Sequence, residues 1–185
     1  MRFRDQPVHI GPLTVRGHSG AAAVNENSGA TRYREYGRYN NTTGTVNDRH
    51  RIPDLQFVDG VPTTRSVEGM LRAFLRIGEQ AGSSDLQIEW DFDADYDQMV
   101  QFFENYGERG WLPWGPNCHT FCNDALRLSG GGQSPRLVRR LNRENVGEIA
   151  RAIRDEYRRR SEEDREPTEE NCRANPTQCN PGHVR

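Results

Sequence analysis

Two side chains in this sequence have the chemistry of a nucleophile and its base. Cys118 follows Asn117 at the start of an apolar helical pattern. The first N–H groups of a helix and its dipole stabilise a thiolate, and they can also hold an oxyanion. A thiolate nucleophile needs a positioned base, and His18 lies in a run of small residues that lets a helix terminus come close. The pair predicts nucleophilic catalysis by cysteine.

A cysteine–histidine pair also needs a third polar group that holds the imidazole tautomer. The segment 33–39 returns beside His18 if the two stretches form a hairpin, and this segment contains Glu35. Glu35 is therefore the expected orienting residue, with Tyr36 as the second choice. The alternative is that Glu35 is only a cross-strand partner of one of the arginines.

The residues around Cys118 have supporting roles in this hypothesis. Asn117 is the expected N-cap of the helix, and Pro113 and Pro116 stiffen the approach to it. His119 is not expected to be the base, because consecutive helical residues point about 100° apart. It is expected to be structural or to line the rim of the site. The predicted substrate-binding residues are Tyr36, Trp114, Asn117 and His119.

Each of these side chains also has a purely structural interpretation. A buried cysteine is most often a small hydrophobe, which applies to Cys118 and more strongly to Cys122. His18 can equally be a hydrogen-bonded histidine of the core. The cysteines lack the C-x-x-C spacing of zinc modules, so neither a metal nor another cofactor is predicted. A further alternative is a non-catalytic binding module whose recognition surface contains Trp111 and Trp114.

Composition narrows the possible functions. Of the 185 residues 33% are hydrophobic and 28% charged, with a net charge of -2, which argues against a protein that binds nucleic acid by neutralising phosphates. All 25 basic residues are arginine, which excludes lysine Schiff-base chemistry. No stretch approaches the roughly twenty apolar residues of a membrane span, and residues 1–5 lead into no signal-peptide core. We therefore expect no transmembrane segment and no general-secretory signal.

Local patterns place these residues on strands and helices. Segments with the alternation or composition of strands are residues 13–24, 31–39 and 86–92, with a short extended segment at 55–62. Apolar side chains at helical spacing predict a helix from a Ser66 cap to Gly82, a second from an Asp93 or Asp95 cap to Gly107, and a third that opens at Cys118 and closes at 130–132.

Charged residues dominate the chain from Ser129 onward. Helical spacing predicts short helices over residues 135–142 and 143–160 that pack on the domain. Beyond them the sequence has the composition of a flexible tail, in which Cys172 and Cys179 could form a disulfide in an oxidising compartment. The predicted organisation is a catalytic domain at 1–130, a helical extension at 131–160 and a flexible tail at 161–185.

Three motifs together resemble a known group of enzymes: Gly17-His18-Ser19-Gly20, Tyr36-Gly37-Arg38-Tyr39 and Asn117-Cys118-His119-Thr120-Phe121. The order of histidine before cysteine is similar to that of the circularly permuted papain-like families related to NlpC-type peptidoglycan hydrolases. These include bacterial toxins delivered by type VI secretion or carried on Rhs-type proteins. Lecithin:retinol acyltransferase-like enzymes share the order.

The resemblance covers about residues 13–130 and implies an α+β fold, a small antiparallel sheet packed on helices. By position it implies Cys118 as nucleophile, His18 as base and Glu35 as orienting group. The implied function is a cysteine amidase or peptidase that cleaves peptidoglycan stem peptides as an antibacterial effector. The same pair in a deamidase, transglutaminase or acyltransferase acting on a protein or lipid is the alternative.

The resemblance also implies partners and a location. Secretion machinery or a carrier protein would export the chain without a signal peptide, and a cognate immunity protein would block its cleft in the producing cell. The expected place of action is the periplasm of a target cell, with the target-cell cytoplasm as the alternative.

Overall fold

Antiparallel strand pairing organises this α+β fold. The structure is a computed structural model that describes residues 2–10, 13–37, 44–83, 85–107, 112, 115–128 and 136–163, with side chains from Ser19 onward. The strands within these ranges are β1 (Arg2–Ile10), β2 (Leu13–Val24), β3 (Thr31–Gly37), β4 (Thr45–Asn47), β5 (Phe57–Val58), β6 (Val61–Pro62), β7 (Leu86–Asp91) and β8 (Arg136–Leu141). Six of them form one sheet in the order β4-β3-β2-β1-β7-β8, and β5 pairs with β6 in a separate hairpin.

The helices in the described ranges are α1 (Thr64–Gln80), α2 (Tyr96–Asn105), α3 (Cys118–Leu128) and α4 (Val146–Glu163). Thr63, rather than the predicted Ser66, caps α1, because its hydroxyl accepts a hydrogen bond from the Ser66 amide. Asp95 caps α2 as predicted, through the Gln98 amide. None of these described helices combines the length and apolar character that a membrane span requires.

The two faces of the sheet carry different helices. Tyr33 of β3 packs against Phe74 of α1, in a core that also contains residues of α4 and β7. Tyr36 of the same strand stacks on Phe121 of α3, in a second core completed by α2. Positions separated by an odd number along a strand point to opposite faces. The sheet therefore separates α1 and α4 from α2 and α3.

The hairpin predicted over residues 13–39 is confirmed as β2 and β3 up to Gly37, and residues 38 and 39 lie outside the described residues. Its small residues have the role that the sequence predicted, because Ala21 and Ala23 pack against α3. Gly20 has a second reason to be small: a Cβ there would lie 2.2 Å from the Tyr33 hydroxyl oxygen. A larger side chain at Gly20 would have to displace this buried ring.

The helix predicted over residues 135–142 is wrong, since this segment forms strand β8. It pairs with β7 along its whole length, and Arg136 donates to both Asp91 and Glu89 of that strand. The spacing of Leu137 and Leu141 fits a helix equally well, so the open edge of β7 decided the structure. The prediction also omitted β1 and β4, which lie in segments without a regular apolar pattern.

The C-terminal part of the described chain belongs to the main core. Ile149, Ala150 and Ile153 of α4 are almost completely buried and pack with α1 residues in the first core. The helix continues to Glu163, beyond the predicted start of the tail at 161. Residues 164–185, with Cys172 and Cys179, lie outside the described residues, and the division into domain, extension and tail stays a prediction.

Truncation of Ile153 should therefore destabilise the whole protein. We expect Ile153→Ala to lower the free energy of unfolding by about 2–5 kcal/mol, because it leaves a cavity between α4 and α1. Urea denaturation followed by circular dichroism measures this. The control is Val138→Ala on β8, whose side chain is 45% exposed and whose loss should cost little. An unchanged unfolding midpoint for Ile153→Ala would show that α4 is not part of the cooperative core.

Candidate active site

Asn117 fixes the beginning of α3. Its side-chain Oδ1 accepts hydrogen bonds from the amides of His119, at 2.9 Å, and Thr120, at 3.1 Å. In return the Thr120 hydroxyl accepts from the Asn117 amide at 2.8 Å. This reciprocal arrangement satisfies amides that have no partner within a helix. The predicted N-cap is confirmed, and it places Cys118 at the first position of the helix.

The loop before the helix is held by the same residue. The Asn117 Nδ2 donates to the Leu112 carbonyl at 3.2 Å, and the Gly115 amide donates to that carbonyl as well. The Leu112 amide donates in turn to the Pro116 carbonyl at 3.0 Å. The loop therefore folds back on itself, and the side chain of Asn117 is occupied on both its oxygen and its nitrogen.

The cap limits which amides remain for an oxyanion. The amides of Asn117, His119 and Thr120 are all donated within the cap. Among the contacts of the described residues, the amide of Cys118 does not take part in it. The expectation that several helix-start amides hold the oxyanion is thereby narrowed to this one amide. Cys118 itself is 5% exposed and not disulfide-bonded.

The position of Cys118 depends on how α3 packs. Phe121 and Cys122, one turn along the helix, and Ala125, two turns along, lie in the second core with Ala23 and Tyr36. Cys122 is buried in this apolar surrounding, as its structural interpretation predicts. These contacts hold the helix against β2 and β3, with its N-terminus directed at the strand segment around Ser19.

Ser19 joins this strand to the helix directly. Its Oγ lies 3.0 Å from Nδ1 of His119, and Ser19 has no exposed surface. Ser19 was not among the predicted site residues. Its only signal was its position next to His18 in a small-residue strand, which does not indicate a partner 100 residues away in the chain.

His18 lies in β2, where its register partner is Phe3 of β1. Its side chain lies outside the described residues. The backbone nevertheless places it immediately before Ser19, which contacts the residue immediately after Cys118. The structure thus brings the two chain segments together. Alternation along β2 assigns Ser19, Ala21 and Ala23 to the face of α3, and His18 to the face of Gly20 and Glu35. The role of His18 as base stays a prediction.

Glu35 is buried and already has several partners. Its Oε1 accepts from Arg49 Nε at 3.1 Å and lies 3.6 Å from His50 Nε2, and its Oε2 accepts from the Tyr33 hydroxyl at 3.4 Å. Glu35 and Tyr33 alternate with Tyr36 along β3, so Glu35 belongs to the face opposite α3. Its register partner is Gly20, two positions after His18.

Arg49 and His50 were not predicted as site residues. They follow β4, whose Asn47 is the register partner of Glu35. Because β4 has only three residues, no local pattern in the sequence placed them beside this carboxylate. The arginine partner agrees with the alternative interpretation of Glu35, and its orienting role stays a prediction.

The remaining predicted substrate-binding residues have different surroundings. Tyr36 has no exposed surface and packs on Phe121 and Tyr106. Trp114 and Trp111 lie outside the described residues. His119 is partly exposed at the first turn of α3. None of these observations tests a substrate contact. The assignment of Tyr36, Trp114, Asn117 and His119 as substrate-binding residues therefore stays a prediction.

A cavity of about 130 Å³ lies between the C-terminal half of β2 and strand β7. Cys122, Glu26 and Tyr157 line it, but Cys118 does not. Burial raises the pKa of Tyr157 above its ordinary value, and the charge of Glu26 adds to the shift, so this hydroxyl remains protonated at neutral pH. Within the described residues, no group of three or more histidine, cysteine or acidic side chains is placed to hold a metal ion.

Known proteins resemble this chain in sequence and in fold. The crystal structure of the type VI secretion system effector TseH superimposes with a TM-score of 0.56 at 21% sequence identity, over 70% of this chain and 73% of that one. This likeness supports the α+β fold. No curated protein sequence matches the chain significantly. The family model described as "Type VI secretion system effector TseH-like" matches residues 12–130, which is well over half of the sequence and includes β2, β3 and α3. The chain therefore belongs to the TseH-like family of type VI secretion system effectors.

Proposed function

We propose that this effector is a cysteine amidase or peptidase that cleaves the peptide part of peptidoglycan. The observation that carries the proposal is the capped N-terminus of α3, where Asn117 fixes Cys118 as the first helical residue. A thiolate is favoured at that position by the helix dipole. The adjoining strand β2 supplies His18, and the Ser19–His119 contact holds that strand against the helix.

The reaction follows from these groups. The His18 imidazole takes the proton from the Cys118 thiol, and the thiolate attacks the carbonyl carbon of an amide. The Cys118 amide donates to the oxyanion. When the C–N bond breaks, His18 returns the proton to the leaving amine, and a thioester remains on Cys118. Water, deprotonated by His18, hydrolyses the thioester and restores the thiol.

The family supports the biological setting of this proposal. As a type VI secretion effector, the protein would leave its cell through the secretion machinery or on a carrier protein and reach the target-cell periplasm, where peptidoglycan is accessible. The producing cell would need a cognate immunity protein that blocks the site. The alternative is that the protein acts on a protein or lipid in the target-cell cytoplasm. The experiments below distinguish this alternative from peptidoglycan cleavage.

The first test concerns the nucleophile and the substrate together. Purified peptidoglycan sacculi are digested with wild type and with Cys118→Ala, and the fragments are separated by chromatography and identified by mass spectrometry. We expect new peptide fragments with wild type and none with Cys118→Ala, because the thioester can no longer form. Cys122→Ala is the matched control: it removes a buried cysteine one turn along the same helix and should retain cleavage.

Fragments released equally by Cys118→Ala would contradict the proposal. If neither wild type nor any variant releases fragments from the sacculi, while Cys118 of the wild type still reacts rapidly with iodoacetamide, then peptidoglycan is the wrong substrate. The deamidase, transglutaminase or acyltransferase alternative then takes its place, and mass analysis of a labelled acceptor would identify the transfer.

The second test concerns the cap. Asn117→Ser and Asn117→Asp both keep an oxygen that can accept from the His119 and Thr120 amides, but only aspartate adds a negative charge beside the thiol. We expect Asn117→Asp to slow iodoacetamide alkylation of Cys118 at pH 7 severalfold, with the rise of the rate displaced to higher pH. Asn117→Ser loses the same donation to the Leu112 carbonyl without adding a charge, so it should react faster than Asn117→Asp. Equal rates for the two variants would mean that the thiolate does not sense a charge at the cap position and is not held beside it.

The third test separates the two interpretations of Glu35. If Glu35 orients His18, Glu35→Gln should lower kcat by about 10²- to 10⁴-fold, as loss of an orienting carboxylate does. Arg49→Gln should then have a much smaller effect on kcat, even though it leaves a buried carboxylate without its arginine and lowers stability. Activity is measured where circular dichroism shows both variants folded. Equal losses of kcat would assign Glu35 to the ion pair alone.

A further inference from the structure

The six-stranded sheet contains a gap beside β1. Strand β1 lies between β2 and β7, and Arg2 is in register with both Ser19 and Gln87. Within the described residues this pairing stops at Arg2, whereas β2 continues to Val24 and β7 continues to Asp91. At Arg2 the two outer strands are thus separated by the width of one strand. The cavity described above lies between their remaining halves.

Backbone groups of β2 face this gap. The Asn25 amide donates to the Ala30 carbonyl at 2.9 Å, directly beyond the register pair of Val24 and Thr31. Because hydrogen-bonded and non-hydrogen-bonded pairs alternate along an antiparallel ladder, Val24 and Ala22 do not exchange hydrogen bonds with β3. Their amides and carbonyls are directed to the other edge of β2. Both residues line the cavity, so this edge of the strand is available to a further chain.

Apolar side chains cover the gap on both faces of the sheet. Leu71 and Phe74 of α1 line the cavity on one face, and Met99 and Cys122 line it on the face of α2 and α3. Backbone groups at a strand edge require a hydrogen-bonding partner, whereas the two walls favour apolar groups. An extended peptide with small apolar side chains meets both requirements, because successive side chains point to opposite faces.

The charges around the cavity favour a basic residue at one end of this peptide. Glu26 follows β2, is exposed and lines the cavity. Glu89 and Asp91 also line it, but both form ion pairs with Arg136. Arg160 of α4 is paired with a different carboxylate, and the described lining residues include no arginine. A peptide antiparallel to β2 has its N-terminal end beside Glu26, so a positive charge fits there.

We propose that the gap between β2 and β7 binds an extended segment of a partner protein. The segment lies in line with β1 and antiparallel to both neighbouring strands, and its main chain pairs with Ala22 and Val24. It carries small apolar side chains and a basic residue at its N-terminal end. Cys118 does not line this cavity. The binding site is therefore separate from the proposed catalytic function and does not depend on it.

A designed peptide tests the site directly. The probe is Ac-RVAVA-NH₂, titrated into the ¹⁵N-labelled full chain and followed by the amide NMR signals. We expect saturable shifts at Ala22, Val24 and Trp90, with a Kd below about 1 mM. The matched control is the same peptide with both valine amides methylated. It loses two donors to the strand edges and should bind at least about tenfold more weakly.

The charge requirement is tested with Ac-EVAVA-NH₂. The wild-type protein should bind the arginine peptide severalfold more tightly than the glutamate peptide, and Glu26→Gln should reduce this difference. Glu104→Gln is the control variant, because it removes an exposed acid of α2 that does not line the cavity. This variant should retain the wild-type preference.

Three results would overturn the proposal. The first is the absence of saturable shifts at Ala22 and Val24 up to several millimolar peptide. The second is equal binding of the methylated peptide, which would identify the cavity as a site for a small apolar molecule. The third is a set of shifts confined to residues around Cys118, which would identify the peptide as a ligand of the catalytic site. Cleavage of sacculi is measured separately, so its failure leaves this proposal intact.

Discussion

Close approach of α3 to β2 is the constraint on which the rest of the structure depends. Residues 19–23 of β2 carry no side chain larger than serine or alanine, so the helix can lie directly on the strand. Phe121 and Cys122 fill the space above Ala23 and Tyr36. A bulky residue in place of Ala21 or Ala23, which pack on the α3 side, would lift the helix, and the thiol at its N-terminus would move with it.

The cap of α3 adds a chemical consequence to this packing. Asn117 and Thr120 satisfy the first amides of the helix among themselves, which makes the helix start rigid. The same bonds occupy those amides, so among the amides of the capped first turn that of Cys118 is the one assigned to the oxyanion in the proposed reaction. The cap therefore makes the helix start rigid but leaves fewer amides to bind a substrate. The helix dipole still favours the thiolate.

The sheet divides the described part of the molecule into two apolar environments. On one side, α1 and α4 enclose a core that also contains Tyr33, next to the buried Glu35 and its partner Arg49. On the other side, α2 and α3 enclose Tyr36. Glu35 and Tyr36 are neighbours in sequence but belong to these different environments.

Local patterns in the sequence were sufficient for much of the fold. The small-residue hairpin, the helices α1, α2 and α3 and strand β7 follow from periodicity and turn residues, and Asn117 was recognisable as a cap because capping depends on residues three positions apart. The family resemblance rests on the same local motifs around His18 and Cys118.

The sequence alone determined which residues open α3 and which strand can accept it, because both depend on neighbours along the chain. Only the tertiary structure decided that residues 136–141 form a strand, that Arg49 reaches Glu35, and that Ser19 bonds to His119. Each of these results depends on a partner that is distant in the chain. A hydrogen-bond partner or a strand edge from a distant part of the chain outweighs a weak local preference for helix or strand. The spacing of residues within one segment does not reveal such a partner.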